Sequence, residues 1–113
     1  MGSLYYGNAT EPVHVPDRLL AHVKVVIATK LRRNESFTLS WRHPGDVPGG
    51  RSTLWMQPAI PLRFVFETDE TEMLDPQVLK EFANAANSSS GLVLDLERAI
   101  PGAAGERVHA RVA

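Results

Sequence analysis

Apolar residues fall at Leu20, Val23, Ile27 and Leu31, with Leu19 and Val26 widening the stripe. Steps of three and four predict a helix lying against a core. Pro16-Asp17 opens it, with Asp17 expected as the N-cap that accepts from the free N–H groups of the first turn. The β-branched run Val25-Val26-Ile27 favours a strand taken alone, but stripe and cap together outweigh it. Lys30, Arg32 and Arg33 gather in the last turn, opposite the negative end of the helix dipole. Asn34 can take the left-handed conformation that closes the helix. From Ser36 the period changes to two: Phe37, Leu39 and Trp41 point one way, Thr38, Ser40 and Arg42 the other.

The same reading extends along the chain. Leu4-Tyr5-Tyr6, the turn dipeptide Gly7-Asn8 and Val13-His14-Val15 predict a hairpin that ends at Pro16. His43 to Gly50 is a breaker-dense loop between Arg42 and Arg51. A strand is expected from about Arg51 to Gln57, with Leu54 and Met56 on one face and Thr53 and Trp55 on the other. Pro58 to Pro61 forms a turn or bulge, and Leu62 to Glu67 is the next strand. Thr68 to Asp75 is acidic. Asp75-Pro76 then starts a second helix, with Asp as cap and Pro at its first position. Leu79, Phe82, Ala83 and Ala86 supply its stripe, and Asn87 to Gly91 stops it. A last strand over Leu92 to Glu97 points its leucines inward. The order ββαβββαβ predicts an α+β fold, a two-layer sandwich in which an antiparallel sheet of about six strands carries both helices on one face. The domain is expected over residues 1–98, with a disordered tail over 99–113.

At 113 residues the chain has room for one modest core. It has no cysteine, which excludes disulfides and thiolate chemistry. No apolar run approaches the roughly 20 residues of a membrane span. The N-terminus lacks the basic and apolar regions of a signal peptide. The expectation is a cytoplasmic protein without a membrane partner. Net charge is −1, but residues 17–63 hold eight Lys and Arg against three Asp and Glu, whereas 64–113 hold four against nine. Such segregation suits an anionic partner for the basic half. It suits equally an attraction between the two halves of one fold, or head-to-tail association.

Few motifs carry chemistry. His14, His22, His43 and His109 form no zinc pattern, so no metal or cofactor is expected. His22 is expected at a solvated or boundary position, and His43 in the loop that best resembles a cleft. Gly45 to Gly50 lacks the lysine of a phosphate-binding loop. No Gly-x-Ser-x-Gly elbow exists. Asp69, Glu70 and Glu72 follow no calcium-loop spacing and are expected in water. No catalytic residue is nominated. Arg42, Arg51 and Arg63 lie on three successive strands. If these are neighbours, the arginines share a solvent face with Trp55 or Trp41. Cations with exposed aromatics on a sheet can hold single-stranded nucleic acid by charge and stacking.

Several segments together carry a resemblance: Met1-Gly2 with Leu4 and Tyr6-Gly7, then Leu20 to Ile27, Lys30 to Phe37, Ser40-Trp41, Gly50 to Trp55, Ile60-Pro61-Leu62, and Ala86 to Ser89 with Gly91-Leu92. The chain resembles a family of small uncharacterised proteins from high-GC Gram-positive bacteria, often labelled ATP-dependent DNA ligase. The label implies a nucleotidyl-transfer lysine in a Lys-x-Asp-Gly context. Here the three lysines precede Val25-Val26, Leu31-Arg32 and Glu81-Phe82, so none fits. The sequence therefore points to a non-enzymatic binding domain. Its candidate nucleic-acid contacts are Lys30, Arg32, Arg33, Arg42, Arg51, Arg63 and Trp55. The alternatives are a protein-interaction or self-association module, and an accessory piece linked to a DNA ligase.

Overall fold

The computed structural model describes residues 1–100. The expected tail lies, from residue 101 on, outside the described residues. The elements follow the expected order: β1 Gly2–Tyr6, β2 Val13–Val15, α1 Asp17–Arg32, β3 Phe37–Arg42, β4 Arg51–Met56, β5 Leu62–Val65, α2 Pro76–Ala86 and β6 Leu92–Leu94. The fold is α+β.

The strands do not form one six-stranded sheet. They form two sheets of three, ordered β2-β1-β5 and β4-β3-β6. The break falls after β4, where Pro58 and Pro61 flank a turn closed by Ile60 N–H on the Gln57 carbonyl. Proline has no N–H for a ladder, so the chain leaves the sheet there. β5 pairs instead with β1, Leu4 facing Phe64 and Tyr6 facing Leu62. The second sheet is also not wholly antiparallel, because β6 runs parallel to β3 with Leu39 beside Leu92 and Trp41 beside Leu94. A strand delivered by a helical crossover can run parallel in a way a tight hairpin forbids. The helices consequently do not cover one face of one sheet. They pack on each other, while α1 also meets β1 and α2 meets β6 and β3.

The core joins these layers. Leu4, Leu20, Val23, Ile27, Leu39 and Leu92 are fully buried, each worth about 2 kcal/mol relative to exposure. The alternation expected of β3 holds, with Phe37, Leu39 and Trp41 buried. Ile100 also packs into this core. Behind it, the Arg98 guanidinium forks onto both carboxylate oxygens of Glu81 on α2, at 2.7 and 3.1 Å.

The helix ends differ in how well they match expectation. Asp75 caps α2, its Oδ1 accepting from Gln77 N–H at 2.9 Å, with Pro76 following. Asn34 takes φ 62° just past α1. Asp17, however, is not the cap of α1. It is the first helical residue, preceded by Pro16 and with no side-chain cap bond. Its Oδ2 accepts instead from Glu67 N–H at 2.9 Å, which ties the helix start to the segment after β5. His22 is not solvated either but wholly buried. Its Nδ1–H donates to the Arg18 carbonyl at 2.6 Å, and Nε2 accepts from Asp75 N–H at 2.8 Å.

Candidate nucleic-acid interface

Register decides which side chains share the uncovered face of the β4-β3-β6 sheet. Arg42 pairs with Arg51, Ser40 with Thr53 and Thr38 with Trp55. Residues directly opposite on neighbouring strands project to the same side. Because Phe37, Leu39 and Trp41 point inward, all six of these point outward. Val93 of β6, beside Ser40, joins them. Trp55 is 56% exposed and Val93 58%. At the centre, the Ser40 and Thr53 hydroxyls lie 2.8 Å apart.

Arg42 and Arg51 close the far end of this face. His43 N–H donates to the Gly50 carbonyl at 2.8 Å, so the pair just beyond them is a hydrogen-bonded one. Antiparallel pairs alternate, which makes Arg42–Arg51 a non-hydrogen-bonded pair with Cα atoms about 4.5 Å apart. Among the described residues neither arginine has a carboxylate within ion-pair distance. Asp95 and Glu97 border the same hollow as Arg42 without reaching that distance. Trp55 stands four residues along β4 from Arg51, about 13 Å away at the usual rise.

The other nominated residues divide. Arg32 and Arg33 are exposed at the end of α1; only a tight turn separates them from β3, so they stand at the Trp55 end of the sheet. Lys30 is 8% exposed and already occupied. Its ammonium donates to Asn87 Oδ1 and pairs with Glu35 at 2.9 Å, which locks the end of α1 to the end of α2. The hydrogen bond from Lys30 to Glu35 holds the Glu35 carboxyl below the usual range. Arg63 does not share a face with Arg42 and Arg51. It lies on β5 in the other sheet, its guanidinium 5.5 Å above the ring of Tyr5, its cross-strand partner. The two tryptophans also part company, since Trp41 is core at 9% exposure.

Glycine shapes one flank of this face. Gly91 has φ +76°, and a Cβ there would lie 1.9 Å from Thr38 Oγ1 and 2.6 Å from the Thr38 carbonyl. Only a bare backbone fits as the chain enters β6 against β3.

Sequence reasoning missed two things. One is Val93, whose place depended on the parallel pairing of β6. The other is the pairing of Ser52 with His43 on the opposite, inner face of the hairpin, where the loop expected to form a cleft borders one of about 510 Å³ between the two sheets. There the His43 ring bonds Pro48 and Ser52, at 2.7 Å each. Among the described residues no group of three or more His, Asp and Glu is placed to hold a metal ion, and no helix is long and apolar enough to cross a membrane.

Fold and face together define a small two-sheet α+β domain with an open sheet surface that is cationic at one end and aromatic at the other. Residues 1–97 match the family described as "Domain of unknown function (DUF7882)", and the chain belongs to that family. No curated protein and no solved structure matches it.

Proposed function

We propose that this domain is a binding module that works in the cytoplasm and holds single-stranded nucleic acid on the outer face of the β4-β3-β6 sheet. The observation that carries the reading is the cross-strand pair Arg42–Arg51. Like charges placed directly opposite destabilise a sheet, and an anion between them removes that penalty. A phosphodiester is such an anion, and the guanidinium fork matches its oxygens. Trp55, exposed on the same face, offers a ring on which a base can stack. The hydroxyls of Ser40 and Thr53 lie between ring and cations, where sugar and phosphate oxygens would pass. Arg32 and Arg33 extend the cationic path beyond Trp55. Lys30 and Arg63, both engaged within the fold, stand outside it.

The test is fluorescence anisotropy with labelled single-stranded and duplex DNA at low and physiological salt. The expected result is micromolar binding, tighter for the single strand, with a marked salt slope. Arg42→Glu with Arg51→Glu is expected to abolish it. Absence of binding at low salt sinks the reading.

A second reading has its own support. Trp55 and Val93 are large apolar side chains exposed on one uncovered face, as at many protein contacts, and the two halves of the chain carry opposite charge. A self-association or protein-docking module built this way would survive the double charge reversal if its contact is apolar. The third reading, an accessory beside an ATP-dependent DNA ligase, is compatible with a nucleic-acid surface and draws its support from the resemblance alone.

A further inference from the structure

We infer that Ser52 and His43 form a nucleophile–base pair at the inter-sheet cleft, and that the cleft takes a small carboxylic ester with an apolar acyl group. The Pro48 carbonyl can only accept, so the 2.7 Å contact fixes the proton on His43 Nδ1. In the neutral ring, Nε2 then presents its lone pair to Ser52 Oγ, also at 2.7 Å. A hydroxyl bonded to a base that a third group orients is the general signature of an activated nucleophile. The ring is clamped as well as bonded. Gly49 has φ +96°, and a Cβ there would come within 2.8 Å of Nδ1, so bare backbone lies against the imidazole.

The surroundings suit acyl chemistry. Ser52 faces Trp41 across the ladder, and the cleft is walled by Leu4, Tyr6, Val13, Trp41 and Leu54. Its volume of about 510 Å³ is of the size that small-molecule sites use. An oxyanion donor is also at hand. Ladder alternation turns the Thr53 N–H away from β3, toward the edge of β4 where the Trp55 carbonyl accepts from the Tyr6 hydroxyl. Thr53 and Tyr6 both line the cleft. The N–H of the residue after a nucleophilic serine is a recurrent oxyanion donor.

The step balances within these groups. As Ser52 Oγ bonds to the ester carbonyl carbon, its proton passes to His43 Nε2. Collapse of the tetrahedral intermediate breaks the bond to the alcohol oxygen, which leaves with that proton. Water then attacks the acyl-serine, its proton going to Nε2 and on to Ser52 Oγ as the carboxylic acid departs.

This site lies on the inner face of the hairpin whose outer face is proposed for nucleic acid, and its assay reads neither charge nor salt. The full chain is treated with an alkyl fluorophosphonate and its intact mass and modified peptide are measured. Turnover of p-nitrophenyl butyrate is followed in parallel, with circular dichroism confirming the fold of each variant. The expected result is one phosphonyl adduct per chain, mapped to Ser52 and absent in Ser52→Ala, which keeps the His43–Pro48 bond and hence the loop. His43→Gln is expected to slow labelling and turnover by about 100-fold or more. Ser52→Cys, which restores a nucleophile beside the same base, is expected to regain ester cleavage. A folded wild type that gains no mass at Ser52 overturns the inference. So does turnover that is equal in wild type and Ser52→Ala.

Discussion

His22 Nε2 accepts the backbone N–H of Asp75 at 2.8 Å, so one fully buried imidazole joins the first helix to the cap of the second. Its other nitrogen is held by the Arg18 carbonyl at 2.6 Å. The ring therefore satisfies an N–H that would otherwise be orphaned under the acidic loop. Removing it leaves that donor unpaired and opens a cavity. His22→Ala is expected to lower stability by about 2–4 kcal/mol, read as a shifted urea midpoint. His22→Phe fills the volume without an acceptor and is expected to cost about 1–3 kcal/mol. A midpoint unchanged in His22→Phe would show that packing alone fixes the helix pair.

Gly91 is the next position where the fold has no slack. Gly91→Ala pushes a methyl to within 1.9 Å of Thr38 Oγ1 and holds alanine at φ +76°. The expected loss exceeds 1 kcal/mol, since an alanine forced to positive φ costs more than the entropy it removes from the unfolded chain. Adding Thr38→Ala is expected to recover part of the loss and no more, because the Thr38 carbonyl stays 2.6 Å from the new carbon. Full recovery in the double variant would contradict the backbone clash.

How much of this was legible in the sequence depended on the range of the cause. Local causes were readable: the alternation of Phe37, Leu39 and Trp41, the Asp75-Pro76 helix start and the left-handed Asn34 each depend on a few neighbours. Arg42 and Arg51 bracket one loop, so their meeting across β3 and β4 was also within reach. Partition into two sheets was not, because it depends on where β5 goes after Pro61, and β1 lies nearly sixty residues upstream. Arg63 was misplaced for that reason alone. Asp17 looked like a cap because the residue type fits, yet its carboxylate serves Glu67, fifty residues away. His22 read as a solvated or boundary residue and Lys30 as a free cation because the partners that bury them are more than fifty residues away. Those partners, Asp75 and Asn87, are the residues that cap the two ends of the second helix.

The Glu81–Arg98 fork predicts a modest pH dependence of known sign. Arg98 holds the Glu81 carboxyl below its ordinary value of 4.5 through its hydrogen bonds. The folded state thus binds that proton less tightly than the unfolded state. The stabilisation is present above the unfolded value and is lost as pH falls through the folded one. The Glu81 side chain is more than half exposed, so screening limits the pair to about 0.5 kcal/mol. Glu81→Gln is expected to be less stable than wild type by that amount at neutral pH and equal to it near pH 3. A gap of the same size at both pH values would assign the effect to packing of Arg98 on Phe82 instead.

The Arg42–Arg51 pair gives the sharpest separation between what the fold needs and what a ligand would use. If the pair serves only solubility, replacing one arginine should be neutral. If it is held in repulsion for an anion, Arg42→Glu converts a repulsive cross-strand pair into an attractive one. That substitution is expected to raise stability by about 0.2–1 kcal/mol while weakening single-stranded DNA binding. Trp55→Ala is expected to weaken binding by about 1–3 kcal/mol through lost stacking without changing the salt slope. Replacing both arginines by alanine should lower the slope by about 1.4 for a single strand. Lys30→Met is expected to reduce stability and leave the slope alone, since that ammonium is already held by Asn87 and Glu35. Stability and affinity that move together across Arg42→Glu, Trp55→Ala and Lys30→Met would mean that binding tracks folding and that the outer face is no site. Opposite movement in Arg42→Glu is the signature of a sheet face whose charges are placed for a partner rather than for the fold.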